Sequence, residues 1–334
     1  MMSTADYIAQ FDNSSGKQLE FKRHPFSDKA PLTPEQSLHV DGYKANASLD
    51  LHTLYPFGGK EARLFSLPVQ LYQDLQPHQK QGLEWLWPLH CSDMPGGIVA
   101  DDMGLGKTLQ TTTFLSGLLY SGIIERVMII APLSVLDAWI YELTRSGLSQ
   151  RIQQYNTSGE TGLRIVEEEG GILLLSYTMY SNNHEKMIGL HDKKWDYIVL
   201  DEAHKIKNLD AAITTAVKKL KCNMKLLLTG TPLTRSLMDI FSLMEFIEVN
   251  ILGDKKKFSK KYKCPVQLGL YSNSNAYDKD RCLQALARCR EKISPYMLRR
   301  TKSILVESGA LPCKKDDVVL WLKLTKLQMF LLDR

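Results

Sequence analysis

The sequence lacks paired cysteines, long apolar runs, internal repeats and low-complexity tracts. Its six cysteines are scattered singly over 334 residues and no two are spaced as C-x-x-C. Zinc sites and disulfide frameworks draw their cysteines from such close pairs or from short, cysteine-dense chains. The pattern therefore favours a reducing compartment over a secreted, disulfide-bonded protein.

No apolar segment approaches the ~20 residues that a membrane-spanning helix needs. The first residues, MMSTADYIAQFDNSS, have no charged segment followed by an apolar core, as a secretory signal would. We therefore expect a protein that stays inside the cell and has no membrane partner. The net charge of +5 permits a polyanionic partner but does not require one.

Residues 1 to about 65 show no sustained hydrophobic period, and prolines recur there at positions 25, 31, 34 and 56. Proline interrupts helices, so this segment is expected to be irregular. The predicted domain organisation begins with an irregular, partly disordered extension over residues 1–68. A peptide that docks a partner is the alternative interpretation of the same segment.

From about residue 71, short apolar segments alternate with amphipathic ones. Strands are predicted over residues 98–100, 127–131, 171–176, 197–200, 226–229 and 317–324. Helices are predicted over residues 75–86, 108–120, 135–144, 210–220, 235–247 and 282–293. This alternation is typical of an α/β protein with a parallel sheet covered on both faces, which binds ligands at the carboxyl ends of its strands.

The segment D-D-M-G-L-G-K-T, residues 101–108, follows the first predicted strand of this sheet. Glycines at 104 and 106 let the backbone curl so that its N–H groups cradle phosphate, at the positive end of the helix that follows. Lys107 is expected to reach the β- and γ-phosphates of a nucleotide, and Thr108 to ligate Mg²⁺. The strict phosphate-loop pattern requires glycine where this chain has Asp101, and an ordinary strand-to-helix turn is the alternative.

Asp201 and Glu202 follow another apolar strand, and we expect that strand to neighbour the one before the glycine loop. Asp201 would hold Mg²⁺ through its water shell, while Glu202 would polarise the attacking water. Taken alone, two acids after a strand also fit the start of a loop. Thr229-Gly230-Thr231 ends a third strand, and its hydroxyls are expected to sense the γ-phosphate state through His204, unless the segment is a plain turn.

Gln79 lies on the helix before the loop, where its amide can both donate to and accept from an adenine edge. A glutamine that faces solvent is the simpler alternative for this position.

Together these stretches resemble the first lobe of Swi/Snf-type ATPases, the helicase-like DNA translocases of superfamily 2. The resemblance covers about residues 70–334 and is closest to the Cockayne-syndrome-B-like branch, with its plant chromatin-remodelling members. In that family Asp101 is the usual variant of the phosphate loop. The matching segments are residues 75–82, 101–108, 131–134, 201–204, 228–232 and 298–302.

The resemblance implies a RecA-like P-loop NTPase lobe over residues 69–250. A helical, basic extension would follow over residues 251–334 and lead to a second lobe. It implies ATP and Mg²⁺ as cofactors, with Lys107, Asp201 and Glu202 catalytic, and Thr108 and Asp201 as the metal ligands. The residues that would bind nucleotide are Gln79, Asp102, Met103, Gly104, Leu105, Gly106, Lys107, Thr108 and Leu109.

The implied partner is double-stranded DNA, with chromatin or nucleosomes as a further partner and the nucleus as the location. Segments 131–134 and 176–177 resemble those that track the DNA backbone, through contacts that are independent of base sequence. Lysines 255–257 and 260–261 are expected in a basic loop. That loop is open to three interpretations: a DNA-facing patch, a nuclear address or a solvated surface.

Two departures qualify the resemblance. Residues 234–237 are T-R-S-L where the family usually has Q-N-N-L. This difference puts in doubt the coupling between the state of the bound ATP and the binding of DNA. We also expect the sequence given to lack the family's second lobe with its arginine finger, whose loss costs about 10³–10⁵ in turnover. We therefore hypothesise weak ATP binding and poor hydrolysis by this chain alone.

Two alternatives to a DNA translocase stay open. One is a non-catalytic module that binds ATP or DNA. The other is an RNA helicase of the DEAH kind, which usually carries Ser-Ala-Thr where this chain has Thr229-Gly230-Thr231.

Overall fold

The computed structural model describes residues 51–54, 64–92, 94–155, 160–188, 194–208, 211–230, 237–271 and 273–303. The chain divides into one unit spanning residues 1–301 and another spanning 302–334, of which only residues 302 and 303 are described. The strand predicted over 317–324 lies outside the described residues. None of the described helices has the length and apolar character needed to cross a membrane.

Two sheets are present in the described part of the chain. A small antiparallel sheet pairs β1 (Leu51–Leu54) with β2 (Phe65–Pro68). A seven-stranded sheet, whose described pairs are all parallel, has the order β5-β6-β4-β7-β8-β3-β9. Its strands are β3 (Gly96–Val99), β4 (Arg126–Ala131), β5 (Ile152–Gln154), β6 (Gly171–Ser176), β7 (Trp195–Asp201), β8 (Cys222–Leu228) and β9 (Met297–Leu298).

Helices connect the strands of the large sheet, and a helical segment precedes the last strand. The helices are α1 (Val69–Gln73), α2 (Pro77–Cys91), α3 (Lys107–Tyr120), α4 (Leu136–Arg145), α5 (Glu160–Glu169), α6 (Tyr177–Met187), α7 (Ala212–Lys218), α8 (Leu237–Ile247), α9 (Lys255–Phe258), α10 (Cys264–Leu270) and α11 (Ala276–Ile293). A π-helical turn, Ser259–Lys263, joins α9 to α10.

The large sheet is buried on both faces because its strands are apolar at nearly every position. In β7, Ile198 and Leu200 belong to one core cluster, while Tyr197 and Val199 belong to the other. Successive side chains of a strand point to opposite faces, so one continuous apolar run serves both clusters. The predicted α/β class with a parallel, two-sided sheet is confirmed.

Each of the six predicted helices and each of the five predicted strands in the described part of the chain has a counterpart. The sequence pattern missed β5, α5 and α6, which lie between residues 152 and 187, and also the short elements β1, β2, β9, α1, α9 and α10. β5 has only three residues, two of them glutamines. α6 is largely polar, and its N-cap is Ser176, whose side chain accepts a hydrogen bond from the Met179 amide at 3.2 Å.

The order of strands corrects one expectation about the site. β7 and β3 were expected to be neighbours, whereas β8 lies between them and pairs with both. The insertion brings the end of β8, followed by Thr229 and Gly230, between the glycine loop and the two acids.

The expected domain limits also differ from the packing. Residues 65–68, assigned to an irregular extension, form β2, and the Phe65 and Leu67 side chains are fully buried. At the other limit, near residue 250, Phe258 and Tyr262 are buried in the same core cluster as the sheet. Lysines 255–257 and 260–261, expected in a basic loop, lie instead in helical structure, in α9 and the π-helical turn that follows it. Phe258 and Tyr262, one turn apart, form the buried side of this helical segment and hold it against the core.

Phe65 anchors β2 to the main body. Its ring lies 5.4 Å from the ring of Trp87 and 5.5 Å from that of Phe114, measured between centroids. A Cβ added at Gly117 would lie 2.3 Å from the Phe65 ring, so only glycine allows this approach. The strand is therefore part of the folded core.

We expect Phe65→Ala to lower the free energy of unfolding by about 3–5 kcal/mol, because it empties a fully buried aromatic site. Tyr277→Ala removes an aromatic ring that is 68% exposed and should change stability by about 0.5 kcal/mol or less. Chemical denaturation of both variants is the measurement. Equal, small effects would place residues 65–68 outside the cooperative core.

Candidate nucleotide-binding site

The loop between β3 and α3 has the backbone shape that a phosphate cradle needs. Gly104 has φ 91° and Gly106 has φ 75°, both in the left-handed region that favours glycine. Gly106 caps α3, so the first amides of that helix are free of intrahelical partners and carry its positive dipole end. A Cβ at Gly106 would also lie 2.3 Å from Nε2 of Gln79.

Lys107 is folded over this loop and lies near the two acids at the end of β7, Asp201 and Glu202. Its Nζ donates to the main-chain oxygens of Asp101 at 2.9 Å and Asp102 at 3.2 Å. Burial lowers the pKa of Lys107, and the charges of Glu202, Asp101 and Asp201 oppose that shift. The ammonium group is thus partly desolvated and lies within electrostatic range of both candidate catalytic carboxylates.

Asp201 is the last residue of β7 and is held by three hydrogen bonds. Its carboxylate accepts from Nε1 of Trp139 at 2.8 Å and from the amide of Glu202 at 2.8 Å. Its main-chain oxygen accepts from the hydroxyl of Tyr177 at 2.7 Å. Burial raises the pKa of Asp201, and the donors from Trp139 and Glu202 oppose that rise. The carboxylate is therefore buried and fixed in orientation.

Glu202 follows with φ 50°, a backbone conformation that is uncommon outside glycine and often marks functional sites. Its Oε2 lies 3.0 Å from Nδ1 of His204. Both acids therefore occupy defined positions at the carboxyl end of β7, where an unconstrained loop would leave them free.

The turn after β8 touches the glycine loop. The amide of Thr229 donates to the oxygen of Val99 at 3.1 Å. A Cβ on Gly230 would lie 2.7 Å from Cγ of Met103 and 3.5 Å from Nζ of Lys107. Thr231 lies outside the described residues, so a relay from the threonine hydroxyls through His204 stays a prediction.

Gln79 is buried beside the loop, so the solvent-facing alternative is wrong. Its side chain is 7% exposed. Its Nε2 donates to the oxygen of Leu105 at 3.3 Å, and its Oε1 accepts from the amide of Gln76 at 2.9 Å. Contact with an adenine edge stays a prediction.

Asp101, the residue that breaks the strict phosphate-loop pattern, forms a buried ion pair with Arg300. Asp101 is fully buried, and its carboxylate accepts from Nη2 and, at 3.0 Å, from Nε of the Arg300 guanidinium. Gln110 donates to the same carboxylate at 3.4 Å and accepts from Arg300 at 2.7 Å. Arg300 also donates to the main-chain oxygen of His78. The aspartate is thus a structural partner of a distant arginine.

Arg299 makes a second link between the same segments. Its guanidinium contacts the Asp102 carboxylate at 2.7 Å and donates to the oxygens of Ala100 and, at 3.3 Å, Gly230. The amide of Ala100 donates to the oxygen of Leu298 at 2.7 Å, which continues the pairing of β3 with β9. The sequence motif matched these two arginines to the family but assigned them no role. The signal that could have revealed their role is that their positive charge complements the negative charge of Asp101 and Asp102.

The remaining predicted residues lie where the loop pattern places them. Met103 is 62% exposed, Leu105 is buried, and Thr108 and Leu109 are half-buried in the first turn of α3. Each of the predicted site residues lies in or beside the loop or at the end of β7. Sequence reasoning missed Trp139, an isolated helix residue that no motif singles out.

The two segments expected to track DNA differ. Leu133 is 76% exposed and Ser134 is exposed after the end of β4, so that segment is accessible. Tyr177 is buried with its hydroxyl bound to the Asp201 oxygen, so its side chain is not available to DNA.

A family model described as the SNF2-related domain matches residues 78–332. The chain is 33% identical to Protein CHROMATIN REMODELING 24 of Arabidopsis thaliana, covering 95% of this chain and 29% of that protein. It is 34% identical to human DNA excision repair protein ERCC-6, covering 79% of this chain and 18% of that protein. The chain thus spans less than a third of the length of these relatives.

A solved Sulfolobus solfataricus SWI2/SNF2 ATPase core in complex with dsDNA aligns with a TM-score of 0.58 at 33% identity. The alignment covers 69% of this chain and 45% of that structure. These comparisons confirm the resemblance read from the motifs, its ERCC-6-like and plant chromatin-remodelling branch, and the RecA-like fold. The chain therefore belongs to the SNF2-related family and carries an SNF2-family ATPase domain.

Proposed function

We propose that this chain binds ATP with Mg²⁺ between the glycine loop and β7, as the ATP-binding lobe of a DNA-dependent ATPase. One observation carries the proposal: Lys107 lies over a loop of left-handed glycines and within electrostatic range of Asp201 and Glu202. Phosphate, metal and water sites of ATP hydrolysis need these groups together at one edge of a sheet.

The residues present fit both cofactors. The free amides at the start of α3 and the Lys107 ammonium complement phosphate oxygens. Thr108 and Asp201 supply the oxygen ligands that Mg²⁺ prefers. When bound, Mg²⁺ neutralises charge on the phosphate oxygens. Glu202 orients and polarises the attacking water, while Gln79 contacts the adenine edge.

We propose double-stranded DNA as the partner that stimulates hydrolysis, because a similar solved core is described in complex with dsDNA. The exposed segment at Leu133 and Ser134 would contact the DNA backbone. Relatives named for chromatin remodelling and excision repair support a nuclear role on chromatin or nucleosomes. Full turnover would also require a second lobe that supplies an arginine finger, so ATP binding is the primary test.

We expect Lys107→Ala to weaken binding of a fluorescent ATP analogue with Mg²⁺ at least about tenfold, because it removes the cation at the phosphates. Glu202→Gln should bind the analogue normally and lose any DNA-stimulated hydrolysis. Lys219→Ala removes an exposed lysine on the end of α7 and should behave as the parent chain.

Absence of ATP binding by the parent chain, or normal binding by Lys107→Ala, would contradict the proposal. Tight ATP binding without any DNA-stimulated turnover, even when a second lobe is supplied, would instead favour a non-catalytic module.

Trp139→Phe should raise the Mg²⁺ concentration needed for half-maximal ATP binding by about 10-fold to 100-fold. The substitution removes the indole donor that orients Asp201, and partners behind a metal ligand contribute effects of about this size. Trp195→Phe is the matched control, because that buried indole donates to the oxygen of Met187. A shift of equal size in both variants would argue against the assigned role of Asp201.

Arg300→Ala should lower the free energy of unfolding by about 3–5 kcal/mol, since it leaves the Asp101 carboxylate buried and unpaired. Arg164→Ala removes an exposed pairing with Glu168 at 3.8 Å and should cost less than about 1 kcal/mol. Adding Asp101→Ala to Arg300→Ala should restore part of the loss, as denaturation of the double variant would show. Strict additivity would contradict direct pairing.

A further inference from the structure

A basic cleft lies between two helical segments of the region that precedes β9. Lys257, Lys260 and Lys261 line one side, Arg281 and Arg288 of α11 line the other, and its volume is about 490 Å³. Pro265 and Ala285, both buried, also line it. None of these residues belongs to the nucleotide-binding site.

The sequence spacing explains why the cations converge. Positions 257, 260 and 261 share one face of a helical segment, while Phe258 and Tyr262 point into the core. Arg281 and Arg288 are two turns apart, or about 10 Å along α11. The π-helical turn Ser259–Lys263 is a rare conformation that is frequent at functional sites.

Two of the helices around the cleft, α10 and α11, pack tightly against each other. A Cβ added at Gly269 of α10 would lie 2.3 Å from Cβ of Cys282 on α11, so glycine is needed for this close approach. Cys282 and Ala285 are buried in the small apolar cluster that joins these helices. The two arginines therefore lie on a helix that is held by close packing, while the lysines lie on a segment anchored by the buried Phe258 and Tyr262.

Little negative charge offsets the cleft. Lys257 pairs with Asp254 at 3.3 Å. Within the described ranges, the other four cations have no carboxylate within ion-pair distance. The nearby Asp280 carboxylate accepts from Nε2 of Gln284 at 2.7 Å. The cleft is thus a concentration of largely uncompensated positive charge.

We propose that this cleft binds the backbone phosphates of duplex DNA, as a contact separate from the segment at Leu133 and Ser134. A length of about 10 Å of duplex carries about six phosphates, which is comparable to the five cations that line the cleft. Arginine also binds phosphate in a bidentate manner. The proposal rests on the proposed function, which gives this chain a DNA partner.

The residues that line the cleft favour duplex DNA over single-stranded nucleic acid and over an acidic protein partner. None of the described residues that line the cleft is aromatic, and the exposed Tyr277 ring beside it is already in contact with the Arg281 guanidinium, 5.6 Å from the ring centroid, so the lining offers no free ring on which unpaired bases would stack. The described lining residues also include no large apolar anchor of the kind that dominates binding to a protein partner. Recognition of backbone phosphates alone would be independent of base sequence and strongly dependent on salt.

The test is a triple variant, Lys260→Gln, Lys261→Gln and Arg281→Gln, in the full chain. Binding to a labelled 30-base-pair duplex is measured by anisotropy over a range of salt concentrations. The slope of log affinity against log salt should decrease in magnitude by about 2 to 3, because each lost phosphate contact contributes about 0.9. ATP-analogue binding and the thermal melting temperature should match the parent chain.

The matched control removes three exposed lysines elsewhere, through Lys218→Gln, Lys219→Gln and Lys221→Gln. Its salt slope should stay at the parental value. An unchanged slope in the cleft variant, or an equal decrease in the control, overturns the proposal. Displacement of the duplex by poly-glutamate as effectively as by unlabelled duplex of equal charge also overturns it, in favour of an acidic protein.

The two proposals fail in different ways. If the parent chain binds ATP and DNA but the cleft variant keeps the parental slope, only the cleft assignment fails. If the parent chain binds neither ATP nor DNA, the proposed function fails and the cleft assignment fails with it.

Discussion

The buried ion pair between Asp101 and Arg300 is the interaction on which the site depends. Asp101 is fully buried, and Arg300 joins it to α2 through the oxygen of His78 and to α3 through Gln110. Removing either partner would leave a charge without compensation in the protein interior, which is strongly unfavourable. The phosphate loop, two helices and β9 are therefore fixed by one pair of side chains. Arg299 repeats the arrangement closer to the surface, on Asp102 and Gly230.

The order of strands determines which groups meet at the carboxyl edge of the sheet. Because β8 separates β3 from β7, the Thr229–Gly230 turn lies between the phosphate loop and the two acids. Burial shifts the pKa of Lys107 down and that of Asp201 up, so each charged form is disfavoured without its counterpart. Such opposed shifts within one cleft are typical of sites built to hold charged ligands, and they support the proposed ATP–Mg²⁺ site.

Residues 251–301 belong to the same structural unit as the sheet. Phe258 and Tyr262 are buried in the core cluster of the sheet, and β9 extends it by one strand. This packing brings Arg299 and Arg300 to the loop and leaves the opposite side of the helical segment, with its lysines, facing the basic cleft. The stretch from residue 255 to residue 300 therefore contributes Arg299 and Arg300, whose charges are paired with Asp101 and Asp102, to the nucleotide site. The same stretch contributes the largely unpaired lysines and arginines of the cleft to the proposed DNA contact.

The sequence by itself determined the fold class, most of the strands and helices, and the identity of the site motifs. These features depend on local sequence patterns, namely apolar runs, helical periodicity, and glycines at the positions that require a left-handed backbone. The glycine loop and the Asp201–Glu202 pair needed no other information. Only the tertiary structure decided that β8 lies between β3 and β7, that Gln79 is buried, and that Trp139 orients the Asp201 carboxylate. It also decided that the aspartate at position 101 pairs with Arg300. Each of these depends on residues far apart in the chain, such as 101 and 300. Their contact arises from strand order and packing, which local spacing does not encode.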